Sequence, residues 1–209
     1  MEKENNAQIL KKEDNDKVSH EGILRQFIDR EIKDLKSVSL WRATFAELVG
    51  TFILFTWTIG MGLSYDSDSP PPRLAIALTA GLCVGTLITS LETVSGGHLN
   101  PATSIGFLAT GKITLIRCVA YSTAHAASGI AAPMLFQQLY PSELHGSLGL
   151  IQPGVGITPL QAFLCEFLQG FFLLFGTFAM IDPDRNNVRG SMPLFVGFIV
   201  IANVLFGVS

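Results

Sequence analysis

The sequence predicts an all-α membrane protein, a bundle of apolar helices joined by polar turns. Three observations carry this. Of 209 residues, 48% are apolar and 15% are charged, with a mean hydropathy of +0.42; soluble domains carry about 25% charged residues. The charge is segregated: 9 of the 14 Lys and Arg and 9 of the 17 Asp and Glu lie within residues 1–42. The remainder divides into five long apolar runs separated by Gly-, Pro- or charge-bearing turns. The lipid bilayer is therefore the first expected partner. A net charge of −3 with no basic patch argues against nucleic acid.

Residues 1–40 read as a polar tail, with an amphipathic stretch at Ile23–Leu35. No short apolar core stands at the extreme N-terminus, so the first span is expected to act as the membrane signal. The transmembrane domain is expected over 41–209. Its spans fall at about Ala43–Ser64, Leu74–Val94, Ile113–Leu139, Pro159–Ile181 and Met192–Val208. The loop Tyr65–Pro72 carries three consecutive prolines, and Tyr140–Thr158 is a long Gly- and Pro-bearing loop. Basic residues set the orientation. The tail up to Arg42, the start of span 3 (Lys112, Arg117) and the turn between spans 4 and 5 (Arg185, Arg189) hold nearly all of them. These segments are expected to be cytoplasmic.

Between spans 2 and 3 lies Ser95-Gly-Gly-His-Leu-Asn100-Pro-Ala-Thr103. Asn100 is a strong helix N-cap and Pro101 suits the first helical position. The apolar residues that follow, Ala102–Ala109, make only about two turns, roughly 12 Å, against a bilayer core of about 30 Å. A helix this short between two long runs is expected to enter the membrane and stop at mid-depth. Irregular backbone survives there only when buried in protein or lining a water-filled cavity, so the loop points to a pore.

The chain also repeats itself. Ala43-Thr-Phe-Ala-Glu47-Leu-Val-Gly50 matches Ala162-Phe-Leu-Cys-Glu166-Phe-Leu-Gln-Gly170 in residue type. An odd number of spans separates the two starts, so the second copy is inverted, a recurrent plan in channels and transporters. The first repeat spans 41–139 and a partial second spans 159–209. Asn100 follows Glu47 by 53 positions; the same step from Glu166 leads to 219, past residue 209. A second half-helix and a sixth span are accordingly expected to be missing.

The Ser-Gly-Gly-His-Leu-Asn-Pro-Ala motif, the Ala-Glu near the start of span 1, the inverted repeat and Ser191-Met-Pro-Leu-Phe-Val-Gly-Phe together resemble the aquaporin, or major intrinsic protein, family. The resemblance covers about 41–209. The Phe-rich fourth span and Leu-Glu-Thr-Val before the loop are most similar to the plant X (uncharacterised) intrinsic proteins. Family members build one pore per subunit from two half-helices, each capped by Asn-Pro-Ala, and assemble as tetramers. Only the first motif is present here, as Asn100, Pro101 and Ala102.

An aquaporin-like inverted-repeat bundle is thus the expected fold, with five spans and one re-entrant half-helix. The resemblance implies a passive channel for water or small neutral solutes such as glycerol, urea, boric acid or hydrogen peroxide. It further implies a multi-pass protein, placed here in the plasma membrane, forming a homotetramer or a hetero-oligomer with related channels. A competing reading is a truncated, non-conducting product that associates with intact family members.

Several residues stand out. The half-helix ending at Asn100 leaves about four unpaired N–H groups and roughly half a positive charge there. That field opposes cations, protons included. The Asn100 amide can donate to a passing oxygen, interrupting a proton-relaying file. The resemblance implies that backbone carbonyls of Gly97, His98 and Leu99 line the path. The His98 side chain has two readings, a wall contact and a structural hydrogen bond. Glu47 and Glu166 are acids inside spans, each near the span's start. A charge at mid-bilayer costs about 2.5–3.5 kcal/mol on insertion scales, so each needs a partner. The resemblance implies that each braces a re-entrant loop by accepting from its N–H groups; the alternative is snorkelling to an interface. It also places the constriction at Ala80 and Val204, both small or medium and apolar. Gly81-xxx-Gly85 permits either close helix packing or nothing beyond chance.

Cys83, Cys118 and Cys165 lie far apart in apolar runs and read as packing residues. No metal-ligand run, nucleophile elbow or phosphate loop occurs, and His125 and His145 have no acidic partner at useful spacing. No enzyme activity, metal or cofactor is expected.

Overall fold

A computed structural model describes residues 22–63, 71–145, 148–149, 152–184 and 190–207, and all of its regular structure is helical. The helices are α1 (residues 22–35), α2 (Val38–Leu63), α3 (Arg73–Leu91), the short α4 (Pro101–Ala109), α5 (Leu115–Leu139), α6 (Pro159–Met180) and α7 (Met192–Phe206), with one 3₁₀ turn at Ser142–Leu144. The tail before residue 22, most of the Tyr65–Pro72 loop, Arg185, Arg189 and Val208 lie outside the described residues.

Side-chain oxygens set most helix starts. Ser37 Oγ accepts from the Leu40 N–H at 3.1 Å, which begins α2 five residues ahead of the expected span. Thr114 accepts from the Arg117 N–H, and Ser191 from the Leu194 N–H. Thr158 and Gln161 form a reciprocal capping box with Pro159 at the first helical position.

α2, α3 and α6 are each long and apolar enough to cross a membrane. α5 has 25 residues, about 37 Å, but is less apolar because it carries an inward polar stripe. α7 is shorter, 15 residues or about 22 Å.

The exterior is far more apolar than that of a water-soluble protein, and several polar side chains are fully buried. The fully buried positions include Glu47, Thr51, Ser104 and Ser128, while Phe163, Phe167, Phe171 and Phe175 form an exposed ladder along α6. That distribution suits lipid outside and protein inside.

Small residues bring the helices together. A Cβ at Gly81 would collide with the Gly197 carbonyl oxygen of α7, and one at Gly85 would stand 3.2 Å from the Pro193 carbonyl oxygen. The Gly81-xxx-Gly85 pair is thus a contact face between α3 and α7. α2 packs on α5 through Ile59, Ala132 and Phe136, and the Ser128 hydroxyl donates to the Leu48 carbonyl at 2.7 Å. A second core joins Leu87, Ile88, Leu99 and Val196.

The stretch expected to be amphipathic, Ile23–Leu35, lies on a helix over residues 22–35 that docks on the bundle. The Glu31 carboxylate accepts from the Leu115 and Ile116 N–H groups at 3.1 and 2.8 Å, at the electropositive start of α5. Arg30 donates to the Gly111 carbonyl at 3.2 Å. Asp34 pairs with Arg117 and accepts from the Thr114 hydroxyl.

Candidate functional site

α4 is the short helix between α3 and α5. Asn100 has extended backbone (φ −153°) and its Oδ1 accepts from the Ala102 N–H at 2.8 Å, with Pro101 opening the helix. Nine residues carry α4 about 13 Å back toward α5. Gly106 permits its contact with Leu174 of α6.

The loop before Asn100 needs left-handed backbone three times, at Gly96 (φ +95°), Gly97 (φ +63°) and Leu99 (φ +53°). A Cβ on Gly97 would stand 3.0 Å from the Ile88 Cα. Leu99 has no such freedom; left-handed backbone costs an ordinary L-residue roughly 1–2 kcal/mol. Its conformation is held by Glu47. Glu47 is fully buried; one oxygen accepts from the His98 N–H at 2.9 Å, the other from the Leu99 N–H at 2.7 Å. His125 Nε2 lies 2.8 Å from that second oxygen. An ionised carboxylate only accepts, so Nε2 carries the proton.

A second set of bonds approaches the loop from α5. The Tyr121 hydroxyl donates to the Ser95 carbonyl at 2.9 Å, and Arg117 Nη1 donates to the Tyr121 oxygen at 3.2 Å. Through Arg117 and Asp34 the chain of contacts reaches α1. Ser95 Oγ in turn accepts from the Gly97 N–H. The His98 ring bonds Ser104 Oγ at 3.0 Å and packs against Phe107 and edge-on to Tyr121.

These elements enclose a cavity of about 260 Å³. Four of the longer helices give it one stripe each at i, i+4 spacing: Ala80, Val84 and Ile88 from α3, Met192, Val196 and Val200 from α7, Leu173 and Thr177 from α6, Leu54 and Thr58 from α2. Phe55 of α2, Thr103 and Phe107 of α4 and the loop Gly96–Asn100 complete it. The wall is mostly aliphatic, with polar groups at Thr58, Thr103, Thr177, Asn100 and the loop. Nothing in this set resembles a metal centre, and among the described residues no group of three His, Cys, Asp or Glu comes together.

The structure unites Glu47, Gly97, His98, Leu99, Asn100 and Ala80 around one cavity. Val204 is one turn beyond Val200 on the same stripe and lies outside the lining. Pro101 and Ala102 are exposed at the start of α4 and are not in the lining either. Glu166 is exposed on α6, and its carboxylate has no hydrogen bond among the described residues. His98 is both in the wall and bonded to Ser104, so its two readings coexist. The expectation that His125 lacks an acidic partner is overturned, because the fold brings it to Glu47 across 78 positions. Sequence reasoning also missed Tyr121, Arg117 and Asp34. The available signal was a polar stripe, Arg117, Tyr121, His125 and Ser128, at helical spacing in an otherwise apolar run.

Comparison with known proteins gives the same fold and a family. The chain is 36% identical to aquaporin TIP4-1 of Zea mays over 197 residues, covering 88% of this chain and 74% of that one. It is 34% identical to the lens fiber major intrinsic protein of Lithobates pipiens over 179 residues, covering 83% and 66%. The fold matches the X-ray structure of the aquaglyceroporin from Plasmodium falciparum with a TM-score of 0.69 at 23% identity, over 79% of this chain and 72% of that one. The major intrinsic protein family model matches residues 34–209. With that match and these identities, the chain belongs to the major intrinsic protein family, whose members are membrane channels and not enzymes.

Proposed function

We propose that this chain forms a passive pathway for water and small neutral solutes, with glycerol, urea, boric acid and hydrogen peroxide as the candidate set. The observation that carries the reading is the half-helix α4, whose capped N-terminus at Asn100 is set in the wall of the central cavity. Half a positive charge about 5 Å from a monovalent cation, at an effective dielectric of about 20, disfavours it by about 2 kcal/mol, more than tenfold. A neutral solute meets no such term. It exchanges lost hydration for the Asn100 amide, the threonine hydroxyls and the loop carbonyls.

In this reading Asn100, Pro101 and Ala102 form the half-helix start, and Gly97, His98 and Leu99 present backbone oxygens to the path. Glu47 braces the loop. Ala80 is a wall position, and the part of Val204 falls one turn further along α7. Glu166 would play the part of Glu47 toward a second loop, as the inverted repeat suggests. The proposed assembly is a tetramer in the plasma membrane with the α1 end cytoplasmic; the distribution of basic residues supports that orientation. A non-conducting subunit has no observation in its favour.

The test is stopped-flow shrinkage of vesicles holding the protein, with water and glycerol compared against empty vesicles. Faster flux of water or of one candidate solute, without proton leak, supports the reading. Flux equal to bare lipid for every solute refutes it.

A further inference from the structure

The family match begins at residue 34, so α1 lies almost wholly ahead of it. At about 100° per residue, α1 divides into three faces. Arg30, Glu31 and Asp34 form the face that holds the bundle. Arg25, Asp29 and Lys33 form a polar face with a net positive charge. Leu24, Ile28, Ile32 and Leu35 form the third, and all four are exposed, by 42% to 59%.

This third face leads directly into lipid-facing surface. The Trp41 indole N–H donates to the Leu35 carbonyl at 3.2 Å, joining the end of α1 to α2. Val38, Trp41 and Phe45 continue the exposed apolar surface along α2, at 82%, 58% and 65% exposure. α2 is one of the membrane-crossing helices. Tryptophan is favoured at the membrane–water boundary, where ring and N–H meet different surroundings.

We propose that α1 is an interfacial helix. It lies in the headgroup layer beside the bundle, with Leu24, Ile28, Ile32 and Leu35 in the acyl boundary and Arg25, Asp29 and Lys33 toward water. Its occupant is a phospholipid surface, and the net positive polar face favours an anionic one. The bonds from Glu31 and Asp34 fix the roll of the helix, so the apolar face is aimed at lipid and cannot turn to solvent.

The test uses the full chain in vesicles of phosphatidylcholine with phosphatidylglycerol. Single cysteines are placed by Ile28→Cys or Asp29→Cys in a background of Cys83→Ala, Cys118→Ala and Cys165→Ala, and labelled with bimane. The Ile28 site is expected to be quenched by brominated lipid and to show a several-fold lower iodide quenching constant than the Asp29 site. Equal iodide access at both sites overturns the proposal. So does an Ile28 site shielded from both quenchers, which would place protein over this face. A diazirine amino acid at Ile28 in the chain with its native cysteines provides a second measurement. Lipid adducts support the proposal, and adducts confined to protein or water refute it.

Discussion

Glu47 holds three donors at once: the N–H groups of His98 and Leu99 and the Nε2–H of His125. Glu47→Ala would leave all of them buried without a partner. Removing one side of such a buried set costs about 3–5 kcal/mol. We predict a matching loss of thermal stability in detergent, with faster hydrogen exchange at the His98 and Leu99 amides. Glu47→Gln keeps the shape but offers one acceptor oxygen for three donors, so it should fall between Ala and the native residue. Tyr121→Phe is a milder case. The ring stays, while the Ser95 carbonyl and Arg117 Nη1 each lose a bond, at about 1–2 kcal/mol in sum. Exchange at Gly97, whose N–H donates to Ser95 Oγ, should rise while the α5 amides stay protected. Asn100-Pro101 was legible in the sequence because a cap and its helix are adjacent. The Glu47–His125 pair was not, since no local spacing encodes a contact formed by two helices crossing. The left-handed Leu99 was equally hidden, because leucine carries no marker for that backbone.

At the scale of elements, α3 meets α7 through glycine. A methyl on Gly81 would strike the Gly197 carbonyl oxygen and Ile201, and backbone cannot move aside as a side chain can. Gly81→Ala should therefore force the helices apart, costing about 1–3 kcal/mol. Gly62 of α2 has open space where a Cβ would stand, so Gly62→Ala should be neutral or stabilising by up to about 1 kcal/mol. Unfolding of the two variants in dodecyl maltoside separates packing from helix propensity. The docking of α1 makes a different prediction. Burial alone would raise the pKa of Asp34, but hydrogen bonds from Arg117 and Thr114 and the guanidinium charge outweigh it and hold the carboxyl below its ordinary 3.8. A depressed carboxyl stabilises the docked state above its undocked pKa and loses that contribution as pH falls through the lower docked value. The Asp34 part of the α1 contact should thus be constant from pH 7 down to about 4 and fade only below that. A spin label at Lys33→Cys should gain mobility in that acid range. Asp34→Asn should raise its mobility at neutral pH and flatten the acid response. The amphipathic pattern of Ile23–Leu35 was visible in the sequence. Its anchorage was not, because Glu31 caps a helix that starts 84 positions away.

For the whole molecule, the sequence announced the apolar exterior, since nearly all charge was excluded from the spans. It could not say which apolar side chains face the cavity and which face lipid. The i, i+4 stripes alone do not separate these, because α6 has one stripe in the cavity wall, at Leu173 and Thr177, and another of exposed phenylalanines. The cavity stripes on α3 and α7 give a direct test of selectivity by size. Ala80 is in the wall and Val204 is not. If the aliphatic cavity sets the size limit, Ala80→Phe should reduce glycerol flux several-fold more than water flux, because a single file of water needs less width. Val204→Phe, one turn beyond the lining, should leave the ratio of the two fluxes unchanged. Both variants are read in the same vesicles by stopped-flow light scattering, normalised to protein content. Equal loss of both fluxes in Ala80→Phe would mean that the wall at α3 supports the bundle without setting the cut-off. A changed ratio in Val204→Phe would move the narrowest point one turn along α7.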